Sequence, residues 1–238
     1  MALVRRRQIL LASIALAIAF IHGCATTGDA GQPSPTELVT VPISGAQRSL
    51  VVVLPGRGDD LAGLRRTGIV EAIQSAWPDA DVLLAGVAFA YYLEGRMPER
   101  LHDEVLAKYQ QRGYREIWLA GASMGGMGTL VYDLRYPGEM TGLVLMAPYL
   151  GGRETTDPRE SEALKEIWHY VKSWGGKQGP RPGQVWLTYG DTDSLGAVMP
   201  PLVSLLPANH VLLRPGGHAW SVWSPAAKEI FSRIRREY

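Results

Sequence analysis

Ile117-Trp118-Leu119-Ala120-Gly121-Ala122-Ser123-Met124-Gly125-Gly126 is an apolar run that drives into a Gly-x-Ser-x-Gly pattern, and the chain continues as Met127-Gly128-Thr129-Leu130-Val131-Tyr132. The run reads as a strand and its sequel as a helix, so the backbone must reverse at Ser123. A reversal that abrupt strains its turn residue, and only small neighbours two positions either side let the two backbones pass. Gly121 and Gly125 supply that room. Ser123 then stands at the tip of the turn with its hydroxyl exposed. The N-terminus of the following helix lies beneath it, a place that favours developing negative charge. The alternative is a glycine-rich turn that happens to hold a serine, in a chain with 27 Gly. The rest of the chain must decide.

Outward from this turn, short apolar runs alternate with amphipathic ones. Strands are expected at 38–43, Ser49–Leu54, 81–87, 116–120, Gly142–Met146, 185–189 and 210–213, and helices at 60–77, 98–112, after Ser123, and at 158–174, 195–206 and 225–236. Pro42 confines the first strand to an edge. Leu50-Val51-Val52-Val53-Leu54 is the continuous run of a parallel strand buried on both faces. The alternation implies right-handed βαβ units and an α/β, doubly wound, mostly parallel sheet, whose ligands gather at the carboxyl ends of the strands. At 238 residues and 46% hydrophobic content, without an internal repeat, the chain suits a single domain over 38–238.

A serine hydroxyl needs a base, and the base needs a carboxylate to hold its tautomer. Of five histidines, His22 falls in the leader described below. His102 precedes the serine, whereas this elbow architecture orders serine, acid, histidine. His169 falls within a helix, and His210 opens a strand among apolar neighbours. His218 remains, in Pro215-Gly216-Gly217-His218-Ala219-Trp220 just past a strand. The acid is expected in the preceding loop, Gly190-Asp191-Thr192-Asp193. Asp193 is preferred because the later carboxylate of such a loop reaches back to the histidine, and Asp191 reads as a turn-former.

Oxyanion donors are expected from the backbone N–H of Met124, next to the serine, and from the loop Leu54-Pro55-Gly56-Arg57-Gly58-Asp59-Asp60. Within that loop the Arg57 N–H is preferred over Gly58, and Asp59 or Asp60 can cap the helix that follows. Phe89, Tyr91 and Tyr92 lie in an aromatic loop at the same end of the sheet. Tyr91 and Tyr92 are candidate substrate-binding residues, with core plugging as the equal alternative. The stretch 149–179, with Trp168 and Trp174, is long enough for at most a small lid. No metal and no organic cofactor is expected.

The N-terminus reads as a targeting device. Arg5-Arg6-Arg7 precede the apolar run 9–21, too short to span a membrane comfortably, and Ile21-His22-Gly23-Cys24 follows. This resembles the bacterial lipoprotein lipobox, with His22 in place of the usual small residue. The resemblance implies a signal peptide over 1–23 and a Cys24 acylated with palmitate-type chains, anchored without a spanning helix. Cys24 is the lone cysteine, so it makes no intramolecular disulfide. Ala25 after it implies, for a Gram-negative source, the outer membrane facing the periplasm. Arg6-Arg7 also weakly resembles a twin-arginine signal. Residues 24–37 read as a flexible tether. Lys plus Arg number 24 against 23 Asp plus Glu, and three of the arginines belong to the leader. The remainder has no basic excess to hold nucleic acid.

Leu54-Pro55-Gly56-Arg57-Gly58-Asp59, Gly121-Ala122-Ser123-Met124-Gly125-Gly126, Gly190-Asp191-Thr192-Asp193 and Gly217-His218, in this order on this element pattern, resemble the α/β-hydrolase superfamily over nearly all of 49–238. More narrowly the chain looks like the phospholipase/carboxylesterase and acyl-protein thioesterase branch, although Pro55 stands where that branch usually has His. The resemblance implies acyl transfer through Ser123, Asp193 and His218 on a small ester or thioester. The rival readings are an amidase or peptidase with the same triad, and a non-catalytic envelope lipoprotein that keeps the fold for binding.

Overall fold

The computed structural model describes residues 34–40, 48–87, 91–92, 94–151, 158–174 and 182–237. The leader, Cys24 and the tether as far as residue 33 lie outside the described residues, as does Phe89.

The strands β1 (Thr36–Val39), β2 (Ser49–Leu54), β3 (Ala80–Ala85), β4 (Glu116–Ala122), β5 (Gly142–Met146), β6 (Val185–Gly190) and β7 (Val211–Arg214) form one sheet in the order β1-β3-β2-β4-β5-β6-β7. All neighbours pair in parallel except β1, which runs antiparallel to β3 along the edge. β1 starts at Thr36, inside the stretch read as tether, because Pro35 and Ser34 are already engaged: Gly86 N–H donates to Pro35 O and Ser34 N–H to Glu104.

Helices cover both faces. The strands alternate as a twice-buried sheet must: Leu50, Val52 and Leu54 of β2 enter one core while Val51 and Val53 enter the other. The second core is closed by α1 (Leu61–Arg65), α2 (Ile69–Ala76) and α7 (Trp220–Glu237), through Leu64, Ile73, Ile230 and Phe231. The first is closed by α3, which runs helical over Met97–Leu101, takes a π turn over His102–Leu106 and ends as Ala107–Gln110, together with α4 (Met124–Arg135) and α5 (Pro158–Lys172). A further short helix, α6 (Pro200–Val203), adds Leu202 to that core. β4, buried throughout, lies at the centre of the sheet.

Three helices differ from their sequence expectations. The helix expected over 60–77 is two, because Gly68 takes a left-handed φ of 75° and the Thr67 hydroxyl closes the first helix onto Leu64 O. The helix expected over 195–206 is a 3-10 turn, Gly196–Val198, followed by α6, which Pro200 and Pro201 start afresh. The closing helix begins at Trp220, not Pro225. Pro225 is tolerated inside it because the carbonyl it leaves without a helical donor belongs to Ser221, on the exposed side.

Candidate active site

Ser123 joins β4 to α4 with φ 52° and ψ −114°, a conformation that costs a non-glycine residue about 1–3 kcal/mol. The surroundings hold it there. Ser123 N–H donates to Met146 O at 2.8 Å, and Ser123 O accepts from Met127 N–H at 3.1 Å and Tyr149 N–H at 2.8 Å. The glycines around it are needed for space. A Cβ on Gly121 would run into the Gly125 carbonyl, and one on Gly125 would sit 2.5 Å from the carbonyl oxygens of Leu54 and Pro55. One on Gly126 would lie 2.8 Å from Pro148 Cα. α4 starts at Met124, so its first N–H groups, which have no partner within the helix, lie beside the serine.

The loops after β6 and β7 bring Asp193 and His218 together. His218 Nδ1 lies 2.9 and 3.0 Å from the two Asp193 carboxylate oxygens, and Asp193 Oδ1 also accepts the Leu195 N–H at 2.8 Å. The Asp193 side chain is fully buried and the His218 ring is one-quarter exposed. A carboxylate on Nδ1 selects the tautomer whose Nε2 carries a lone pair, the form a general base requires. Asp191 does something different. Its carboxylate accepts the Gly216 N–H at 2.9 Å, and its own N–H donates to Arg214 O at 2.8 Å, which ties the acid loop to the histidine loop. Gly190 lets these loops touch, since a Cβ there would strike the Gly216 carbonyl. The His218 ring rests edge-on against buried Trp223, 4.7 Å between centroids.

The loop after β2 passes beside the serine: a Cβ on Gly56 would be 3.7 Å from Ser123 Cβ. Of the expected oxyanion donors, Arg57 follows Gly56 on this loop and Met124 follows Ser123 at the head of α4. Asp60 caps α1 through the Gly63 N–H at 2.5 Å. Asp59 does not cap. Its Oδ2 accepts the Gly56 N–H at 3.1 Å and the Trp220 Nε1–H at 2.9 Å. Among the described residues no hydrogen bond joins Ser123 Oγ to His218. The two are linked instead through Gly56, Asp59, Trp220 and Trp223. The tie from Asp59 to Trp220 is the feature that sequence reading missed, because adjacent aspartates ahead of a helix are equivalent as caps until the fold supplies a distant donor.

Tyr91 is buried in the first core, with Arg100 over its ring at 4.3 Å and bonded to its hydroxyl at 2.5 Å. It fills the core. The Tyr92 hydroxyl abuts Gly128 of α4, is buried without a hydrogen-bond partner among the described residues, and burial raises its pKa. In the stretch read as a small lid, the described helix α5 turns Leu164, Ile167, Tyr170 and Val171 into the first core. Trp174 is buried beyond it, and Trp168 Nε1 donates to Leu150 O at 3.4 Å. His210 stacks on Trp186 at 3.8 Å, and His102 on Tyr136 at 4.4 Å. Among the described residues no group of three His, Cys, Asp or Glu is arranged to hold a metal ion, and no helix is long and apolar enough to cross a membrane.

A family model described as serine aminopeptidase, S33, matches residues 101–181, a stretch that contains Ser123 but neither Asp193 nor His218. No curated protein matches the chain. Among solved structures it is similar to the S-formylglutathione hydrolase FrmB of Staphylococcus aureus (TM-score 0.61, 14% identity, 85% of this chain and 98% of that one). It is also similar to Est1E of Butyrivibrio proteoclasticus (TM-score 0.61, 13% identity, 85% and 93%) and to esterase PE8 (TM-score 0.53, 20% identity, 87% and 99%). The sheet order, the elbow at the end of the central strand and these likenesses together establish that the chain has the α/β-hydrolase fold.

Proposed function

We propose that the chain is a serine hydrolase that cleaves carboxylic esters or thioesters. The observation that carries this reading is a strained Ser123 at a helix N-terminus beside the Gly56–Asp59 loop, together with an Asp193–His218 couple whose neighbour Trp220 bonds to that same loop. In the first half-reaction His218 Nε2 takes the Ser123 Oγ proton as Oγ bonds to the substrate carbonyl carbon. The N–H groups of Met124 and Arg57 receive the charge that develops on the carbonyl oxygen. Collapse breaks the bond to the leaving alcohol or thiol, which takes the proton from His218 and leaves Ser123 acylated. Water then attacks the acyl carbon, gives its proton to His218, and Ser123 recovers that proton as the acid departs. The hydroxyl-to-ring hydrogen bond is one that such sites tighten in the substrate complex.

The name of one structural neighbour, esterase PE8, supports ester cleavage, and the serine aminopeptidase description of the matching model supports amide cleavage as the second reading. A panel of matched ester, thioester and amide substrates decides between them. Ser123→Ala is expected to abolish labelling by a fluorophosphonate probe and to lower kcat by on the order of 10⁶ while the fold survives. Unchanged labelling of that variant refutes Ser123 as nucleophile, and a wild type inert to every serine-directed probe favours a non-catalytic binding lipoprotein.

The lipobox-like stretch ending at Cys24 supports a domain tethered to the bacterial cell envelope by acylation. Cys24→Ser should leave the protein soluble or unprocessed. An unchanged membrane fraction without an acyl mass shift overturns the tether.

A further inference from the structure

Asp59 joins two parts of the site that are 161 residues apart in the chain. One carboxylate oxygen receives both donors: the Gly56 N–H, in the loop that passes beside Ser123, and the Trp220 Nε1–H, at the first residue of α7 and two residues after His218. Trp220 in turn lies edge-on to Trp223 at 5.4 Å between centroids, and Trp223 is the ring against which His218 rests. The loop that would bind the oxyanion and the seat of the base thus meet at a single oxygen atom. Capping does not explain the carboxylate, since Asp60 already supplies the cap of α1.

On the reading that Ser123 and His218 perform acyl transfer, we infer that Asp59 is a positioning residue, with Trp220 as its partner. It holds the Gly56-Arg57 backbone and the His218 seat in one register, so that oxyanion donor and base address the same carbonyl. Neither residue touches the reacting atoms. Their contribution lies in the geometry of the transition state, where a displacement of about 1 Å costs roughly 10²-fold in rate.

The test is steady-state hydrolysis of a short p-nitrophenyl ester by the full chain and by Asp59→Ala, Asp59→Asn, Trp220→Phe and Asp59→Ala/Trp220→Phe. Rates are normalised to sites titrated with a fluorophosphonate, with thermal denaturation run alongside. Asp59→Ala and Trp220→Phe should each lower kcat about 10- to 100-fold with KM changed less than about 2-fold. Asp59→Asn keeps an oxygen that both N–H groups can reach and should recover most of the kcat. The double variant should lose little beyond the worse single one. Wild-type kcat in Trp220→Phe, which keeps the ring packing, overturns the inference, as do an Asp59→Asn as impaired as Asp59→Ala and losses that multiply in the double variant. If Asp59→Ala does not fold, Asp59→Asn and Trp220→Phe carry the test. An inert wild type refutes the hydrolase reading itself, whereas an active wild type with unaffected variants refutes the clamp alone.

Discussion

His218 Nδ1 stands nearly equidistant from the two carboxylate oxygens of Asp193, at 2.9 and 3.0 Å, while Asp191, two residues earlier, binds only backbone among the described residues. The two acids therefore separate cleanly on substitution. Asp193→Asn presents an amide N–H₂ to Nδ1, favours the wrong imidazole tautomer, and should lower kcat by about 10⁴. Asp191→Asn keeps an oxygen for the Gly216 N–H and should lose less than about 10-fold. Equal losses from the two would refute the assignment of Asp193.

Gly121 is the second point of leverage, because any Cβ there meets the Gly125 backbone, which cannot swing aside as a side chain can. Gly121→Ala should destabilise the protein by about 3 kcal/mol or prevent folding. Gly183→Ala, where nothing lies within 4 Å, should stay within about 0.5 kcal/mol of wild type. Urea denaturation of the two variants gives the comparison, and a Gly121→Ala as stable as wild type would mean that the elbow is looser than described.

Asp133 makes stability depend on pH. It is buried on α4 and accepts a hydrogen bond from the Tyr170 hydroxyl of α5. Burial raises its carboxyl from the ordinary 3.8 to about 6, against the lowering effect of that hydrogen bond. Between those values the folded chain holds a proton that the unfolded chain has released, so stability falls as pH rises from about 4 to about 6 and is then level. Asp133→Asn should stabilise the protein at pH 8, by up to roughly 3 kcal/mol, and lose that advantage by pH 4. Denaturation midpoints measured across this range provide the check. A difference independent of pH would refute the buried carboxyl as its source.

Much of this fold is legible in the chain because its signals are local. Ser49–Leu54 and Gly142–Met146 are apolar runs that can only be strands buried on both faces, and both have those bounds in the structure. The elbow is legible too, since the need for Gly121 arises within five residues, against the Gly125 carbonyl, whereas Gly125 is needed because the end of β2, at Leu54 and Pro55, passes over it. Helix continuity was harder to read. Whether Thr67-Gly68 interrupts a helix and whether Pro225 opens one depend on where α2 and α7 must lie to cover the second core.

The sequence by itself determined the alternation of elements and the strained turn at Ser123. Backbone sterics and hydrophobic period act over a few residues, and the distant Met146 and Tyr149 hold the Ser123 turn that those local signals mark. Tertiary structure brings the preferred Asp193 to His218 while Asp191 ties the loops, and it alone decided that Tyr91 fills the core and that Asp59 reaches Trp220 rather than its own helix. Each of those outcomes turns on which of several chemically equivalent groups is brought within about 3 Å of a partner from elsewhere in the chain.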